Sequence, residues 1–242
     1  MDGKQVKGIG RRAAIRILTA GALGWLGLPG LARAMGNQPK PDGIHRLNGD
    51  VRINDRPAKL GDIVRAGDVI RTGPKASVLF VAGGSVHLIR DNSRITFPPD
   101  DAARDLSSSA IRAIKTVNGK ILSVFGDGPH RIETATSIAG VRGTGIYVEA
   151  EPDRTYICTC YGTIDLAARS APETAITLST RHHEAGKFIL GPDAKGPRII
   201  PAPMINHTDK ELILLESLAG RKPPFVKGSG VKKYSGNDGG GY

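Results

Sequence analysis

Apolar and polar residues alternate in short runs along most of this chain. Gly49-Asp50-Val51-Arg52-Ile53, Gly84-Ser85-Val86-His87-Leu88 and Gly162-Thr163-Ile164-Asp165-Leu166 share one pattern, a glycine followed by apolar residues at every second position. Gly67-Asp68-Val69-Ile70 and Gly119-Lys120-Ile121-Leu122 are looser versions of it. A period of two describes a strand with one face buried. Further strands are expected at residues 76–81, 93–97, 131–134, 145–150, 155–160 and 187–190. Asn48-Gly49 and Asn118-Gly119 are the strongest turn signals, because Asn and Gly accept backbone angles that other residues resist. Strands this short bury little alone, so they must stack or close on one another. The expected fold is therefore all-β, solenoid-like or sandwich-like. Residues 98–110, with Pro98-Pro99-Asp100-Asp101 and Ser107-Ser108-Ser109, interrupt the strands as a loop.

The period changes once. Thr208-Asp209-Lys210-Glu211 has the form of a capping box, and Leu212, Leu215 and Leu218 follow at helical spacing. Gly220 and then Pro223-Pro224 supply the stop. A helix over 209–219 that covers one end of the sheet is expected. Beyond residue 226 the chain is mainly Gly, Ser, Lys and Asp and is read as a disordered basic tail.

The first 34 residues follow another rule. Lys4, Lys7 and the pair Arg11-Arg12 precede a mild apolar stretch from Ile17 to Leu31, which closes on Ala32-Arg33-Ala34. A basic start, an apolar middle and a small-x-small end describe a cleaved export signal, and paired arginines point to the twin-arginine route. Ala14 stands where that motif usually has Phe. The stretch is too short to span a bilayer and contains Pro29. The expected organisation is a signal at 1–34 (Arg11, Arg12, Ala32 and Ala34 carrying it), a linker at 35–43, a β-domain at 44–200, a helical segment at 201–225 and a tail at 226–242. The mature protein is expected in the periplasm or outside the cell.

Composition sharpens this picture at two points. The formal charge of +11 is concentrated at the ends: residues 1–34 hold six Lys or Arg against Asp2, and residues 221–242 hold five against Asp238. A nucleic-acid interface needs a basic stripe on folded structure, so nucleic acid is not an expected partner. The tail is left with, at most, weak contact to anionic lipid. The single Trp, Trp25, falls within the export signal, so a sugar-stacking cleft has little to work with.

Four stretches resemble the FecR-type domain. They are Leu60-Gly61-Asp62 through Thr72-Gly73, Ala82-Gly83-Gly84-Ser85-Val86-His87-Leu88, Ala139-Gly140-Val141-Arg142-Gly143-Thr144-Gly145-Ile146-Tyr147-Val148, and Tyr161-Gly162-Thr163-Ile164-Asp165-Leu166 followed by Ala185-Gly186-Lys187. The resemblance implies an extracytoplasmic, all-β, non-enzymatic binding domain with an envelope protein or glycan as partner. The namesake regulators also carry an anti-sigma segment and a membrane helix. Neither is recognisable here, so the sigma-factor role does not carry over.

The residues able to do chemistry are few. Cys158 and Cys160 are the only cysteines. Two positions apart on a strand, they share a face, and paired thiolates favour copper(I) or zinc. His182, His183, His207 and Met204 follow downstream; on a strand, His182 and His183 would point to opposite faces, so one at most would join the thiols. The same cysteines are also compatible with buried structural thiols or with disulfides between chains. Arg142 and Thr144 lie in what reads as a tight turn, where Arg142 could contact an anion. His183-Glu184 lacks the second histidine of a metalloprotease helix, since Lys187 stands in its place. Ser85 lacks the flanking glycine of a nucleophile elbow. No catalytic set emerges.

Overall fold

The computed structural model describes residues 38–99 and 111–227; the side chains of Val117 and Thr144 lie outside that description. The expected export signal, most of the predicted 98–110 loop and the expected tail beyond residue 227 also fall outside the described residues. Among the described residues the fold is all-β with one helix near their C-terminal end. Fourteen strands join in one curled, barrel- or sandwich-like sheet, β1 (Gly43–Asn48) to β14 (Ile199–Ala202), and helix α1 (Asp209–Leu218) follows. No helix among the described residues is long and apolar enough to cross a membrane.

The central strands are buried on both faces, and alternation decides which side chain goes where. In β5 (Ser77–Ala82), Val78 and Phe80 enter the main core while Leu79 and Val81 face the opposite way. In β10 (Ser137–Ala150), Ile146 and Val148 point inward and Tyr147 outward. In β11 (Arg154–Ala168), Ile157 points inward, and Tyr156, Cys158 and Cys160 share the outer face. That outer layer is apolar because α1 lies on it, with Leu212 and Leu215 fully buried. The predicted capping box is present: the Thr208 hydroxyl accepts the Glu211 N–H, and the Glu211 carboxylate accepts the Thr208 N–H. Arg90 pairs with Glu211 at 2.7 Å. At the far end, the Tyr161 hydroxyl donates to buried Glu216, which also pairs with Arg221 at 2.6 Å.

Three glycines read as turns are mid-strand instead. Asn118-Gly119 lies inside β8 (Ala113–Val124). Gly119 has φ 121° and a Cβ there would stand 2.2 Å from Ser93 Oγ, which accepts the Lys120 N–H. The glycine admits a crossing chain; it does not reverse one. The stretch Arg142–Gly145 is likewise a bulge within β10, where the register with β11 shifts. Gly162, with φ 93°, bends β11 in its middle. That bend has a consequence for pairing. Residues Arg154–Thr159 pair with β13 (Ala185–Leu190), whereas Gly162–Ala168 pair with β12 (Ala171–Thr180). Since β10 fills the other edge of β11, β12 and β13 share one edge, and the link between them, residues 181–184, passes along that edge beside Cys160.

Candidate functional site

The site forms where this fork, the approach to α1 and the outer face of β11 meet. Cys158 and Cys160 project from β11 toward α1 and are buried, and both thiols are free. His183 is brought beside them by the link at the edge of β11, whose backbone is anchored by a His183 N–H donating to Cys160 O at 2.8 Å. His183 itself sits at φ 54°. The two adjacent histidines are thus on a tight link and not on a strand, which corrects the expectation that they face opposite ways. His207 arrives from β14 and stands just before the helix cap Thr208; its ring stacks on Tyr147 at 4.6 Å between centroids. Sulfur and ring-nitrogen atoms of Cys158, Cys160, His183 and His207 all lie within 4.8 Å of one another.

The hydrogen bonds around this group fix which atoms face inward. His207 Nδ1 lies 2.6 Å from Ile205 O, a carbonyl that can only accept, so Nδ1 carries the proton and Nε2 presents a lone pair. His183 Nε2 lies 3.0 Å from Asp209 Oδ1 and donates to it, so its Nδ1 presents a lone pair too. These two bare nitrogens are 3.0 Å apart, and Cys158 Sγ is 3.6 Å from His183 Nδ1. Facing lone pairs at that distance repel unless a proton or a metal cation lies between them. Tetrahedral zinc ligands at ordinary bond lengths would stand about 3.3 Å apart for N–N and about 3.6 Å for S–N. The His183–His207 and Cys158–His183 separations are close to these values. Each histidine is also oriented by an outer partner, a carboxylate for His183 and a carbonyl for His207, as metal-bound histidines usually are.

The electrostatics agree with thiolate chemistry. A hydrogen bond from Cys160, aided by His183 and His207, overcomes burial and draws the Cys158 thiol down to about 3. Cys160 moves the other way, raised by burial and by its charged neighbour. Burial works against a charged His183, but Cys158 and Asp209 outweigh it and raise its pKa. In the absence of an ion, the cluster therefore holds a proton near His183 against a Cys158 thiolate. Binding an ion replaces that proton.

Cys158, His183 and Asp209 also stand in the order of a nucleophile, base and orienting acid. Two features oppose that role. Cys158 has no exposed surface, and the buried ring of His207 lies against His183, 4.8 Å between centroids, as a second imidazole that such a triad does not need. A groove of about 350 Å³ beside the link is lined by Gly162, Thr163, Ser179, Thr180, Arg181 and Glu184, and neither thiol is among them.

His182 does not reach the sulfur atoms. Its ring stacks on Phe225, and its Nε2 lies 2.8 Å from Asp209 Oδ1. His207 takes the fourth place in its stead, a residue named downstream in the sequence but placed here only by the return of β14. Met204 is exposed. Arg142 is exposed and pairs with Asp165 at 3.0 Å; the Thr144 side chain is outside the described residues.

No family model and no curated protein matches this chain. Two crystal structures, at 1.65 Å and 2.50 Å, of a candidate anti-sigma factor from Parabacteroides distasonis ATCC 8503 are similar in fold. Each has a TM-score of 0.44 and 12% identity, over 61% of this chain and 64% of the other.

Proposed function

We propose that the chain is a non-enzymatic, metal-binding β-domain that works outside the cytoplasm. It holds one zinc ion on Cys158, Cys160, His183 and His207. The observation that carries this reading is the convergence of two thiols and two imidazole nitrogens, each ring anchored on its far side, within 4.8 Å of one another. Two sulfurs and two nitrogens in a compact tetrahedral set suit zinc. Four protein ligands leave no open position, which is the pattern of a structural or sensing centre and not of a catalytic one. The ion would join three parts of the chain: β11, the β12–β13 link and the entry to α1. The paired arginines and the FecR-type stretches support an exported binding module, and folded export suits a domain that takes up its ion before translocation.

The test is metal analysis of protein purified without chelator. One equivalent of zinc per chain is expected, with loss of it in the Cys158→Ser/Cys160→Ser double variant. Cobalt added to the metal-free protein should give thiolate-to-cobalt charge-transfer absorption together with tetrahedral d–d bands. Protein that neither retains zinc nor takes up cobalt overturns the reading.

A further inference from the structure

The buried cluster has a second, more exposed group of donors against it. His182 Nε2 and His183 Nε2 lie 2.8 Å and 3.0 Å from the same oxygen, Asp209 Oδ1, and the donor atoms of all three residues lie within 4.8 Å of one another. His183 belongs to both groups. Its Nδ1 faces the thiols and its Nε2 faces Asp209.

Exposure is graded across these groups. Cys158 and Cys160 have no exposed surface and His207 has 3%. The His183 side chain is 7% exposed, whereas those of His182 and Asp209 are 45% and 44% exposed. The other sides are closed: β11 lies beneath the sulfurs, Tyr147 stacks on His207, and α1 covers the outer face. An ion coming from solvent therefore meets His182 and Asp209 first. Their donors, an imidazole and a carboxylate on the surface, bind a divalent ion weakly and exchange it quickly. The donors behind His183 are thiolates in a dry site, which bind it strongly. Weak and exposed in front of strong and buried is the order that a path for inward loading requires.

We infer that His182 and Asp209 form a surface landing site that passes a thiophilic divalent cation inward, past His183, to the Cys158–Cys160 thiols. This rests on the metal-binding reading above. In the transfer, the bonds from the ion to His182 Nε2 and Asp209 break. Bonds to the two sulfurs, to His183 Nδ1 and to His207 Nε2 form, and the protons held by the cluster leave to water. Asp209 then stays as the acceptor that orients His183. His182 is not a ligand in the final state, so its role is in the rate and not in the equilibrium.

The experiment follows cobalt or zinc uptake by metal-free full-length protein in stopped flow, reading the cobalt–thiolate absorption or displacement from a chromophoric zinc chelator. His182→Ala is expected to slow uptake and release together, by roughly tenfold each, as loss of a focusing surface site would. Stoichiometry should stay at one and affinity within about twofold, in contrast to the 10–100-fold affinity losses typical of outer-shell partners that remain in the bound state. His182→Phe keeps the ring against Phe225 without a donor and should match His182→Ala. Wild-type loading rates in both variants overturn the inference. So does a fall in affinity with uptake unchanged, which would make His182 part of the final site. If the wild-type protein itself takes up neither ion, the reading in the preceding section fails along with this one.

Discussion

At the scale of single residues, the clearest solution behaviour comes from histidines away from the metal cluster. His87 is fully buried among Phe80, Phe97 and Phe125, with Nδ1 2.9 Å from Ser123 Oγ and Nε2 without a partner. Burial, with a smaller contribution from His130, lowers its pKa from 6.5 to about 3. The His130 pKa is lowered as well, burial being the main cause. The unfolded chain thus takes up a proton near pH 6.5 that the folded chain refuses until about pH 3. Stability is full above pH 6.5 and falls as pH drops through that window. His87 alone should cost about 2 kcal/mol at pH 5. Urea midpoints at pH 7.5 and pH 5 measure the fall, and His87→Leu should make the drop distinctly smaller than in the wild-type chain. An equal drop in both would refute the assignment. At this same scale the site was partly legible. The spacing of Cys158 and Cys160 places both on one face of a strand, and the structure keeps them there. Choosing among His182, His183 and His207 was not legible, because that choice depends on a left-handed residue at His183 and on where β14 delivers the chain. Neither follows from local pattern.

At the scale of elements, glycines show where pattern reading succeeds and where it stops. Alternation located most strands, and the capping box located α1 within a residue. The Gly-led motif is real, but its meaning differs from place to place. Gly49 does stand between β1 and β2 (Val51–Ile53), whereas Gly119 and Gly162 lie inside long strands. Whether a glycine turns a chain, or yields to a neighbour, is decided by partners distant in sequence. β12 and β14 went unread for a related reason: apart from Ala171 and Thr180 at the ends of β12 both are exposed or half-buried, and β12 alternates only over the four residues Ile176 to Ser179. Gly186 shows how an element position reaches the site. It pairs with Cys158, and a Cβ there would stand 2.5 Å from Ala202 O and 3.0 Å from Pro203 O. Gly186→Ala must push β14 outward and with it the segment that carries His207. Overpacking of this kind should cost about 1–3 kcal/mol, and zinc affinity should fall with it. Gly140→Ala, where the nearest atom is 3.9 Å from the new Cβ, is the control expected to leave zinc affinity unchanged. Chemical denaturation and a competitive zinc titration on the two variants check both statements.

At the scale of the molecule, the proposed ion and the helix would answer one structural problem. The outer face of β5, β8, β10 and β11 is apolar and needs a cover. A ten-residue helix with two fully buried leucines is a small one. Its C-terminal half is held by Tyr161, Glu216 and Arg221, and its first turn by Arg90 on Glu211. His207 and Asp209 flank its cap, so a bound ion would tie that end to β11 and to the β12–β13 link at once. An ion that binds only the folded state stabilises it by about 4 kcal/mol at a free concentration a thousandfold above Kd. Chelation should therefore lower the thermal midpoint, and the local effect should be uneven. Amide exchange should quicken most over residues 181–184 and 203–218, which the ion joins, and little over β4 (Val69–Thr72) and β7 (Arg94–Thr96). Those strands belong to the opposite part of the sheet and pack on the main core through Ile70 and Ile95. Exchange that quickens evenly along the chain would mean that the ion stabilises the fold as a whole. Exchange confined to the link and the helix would make the C-terminal cover the part of the molecule that responds to metal, and the apolar sheet face beneath it the surface that metal loss uncovers.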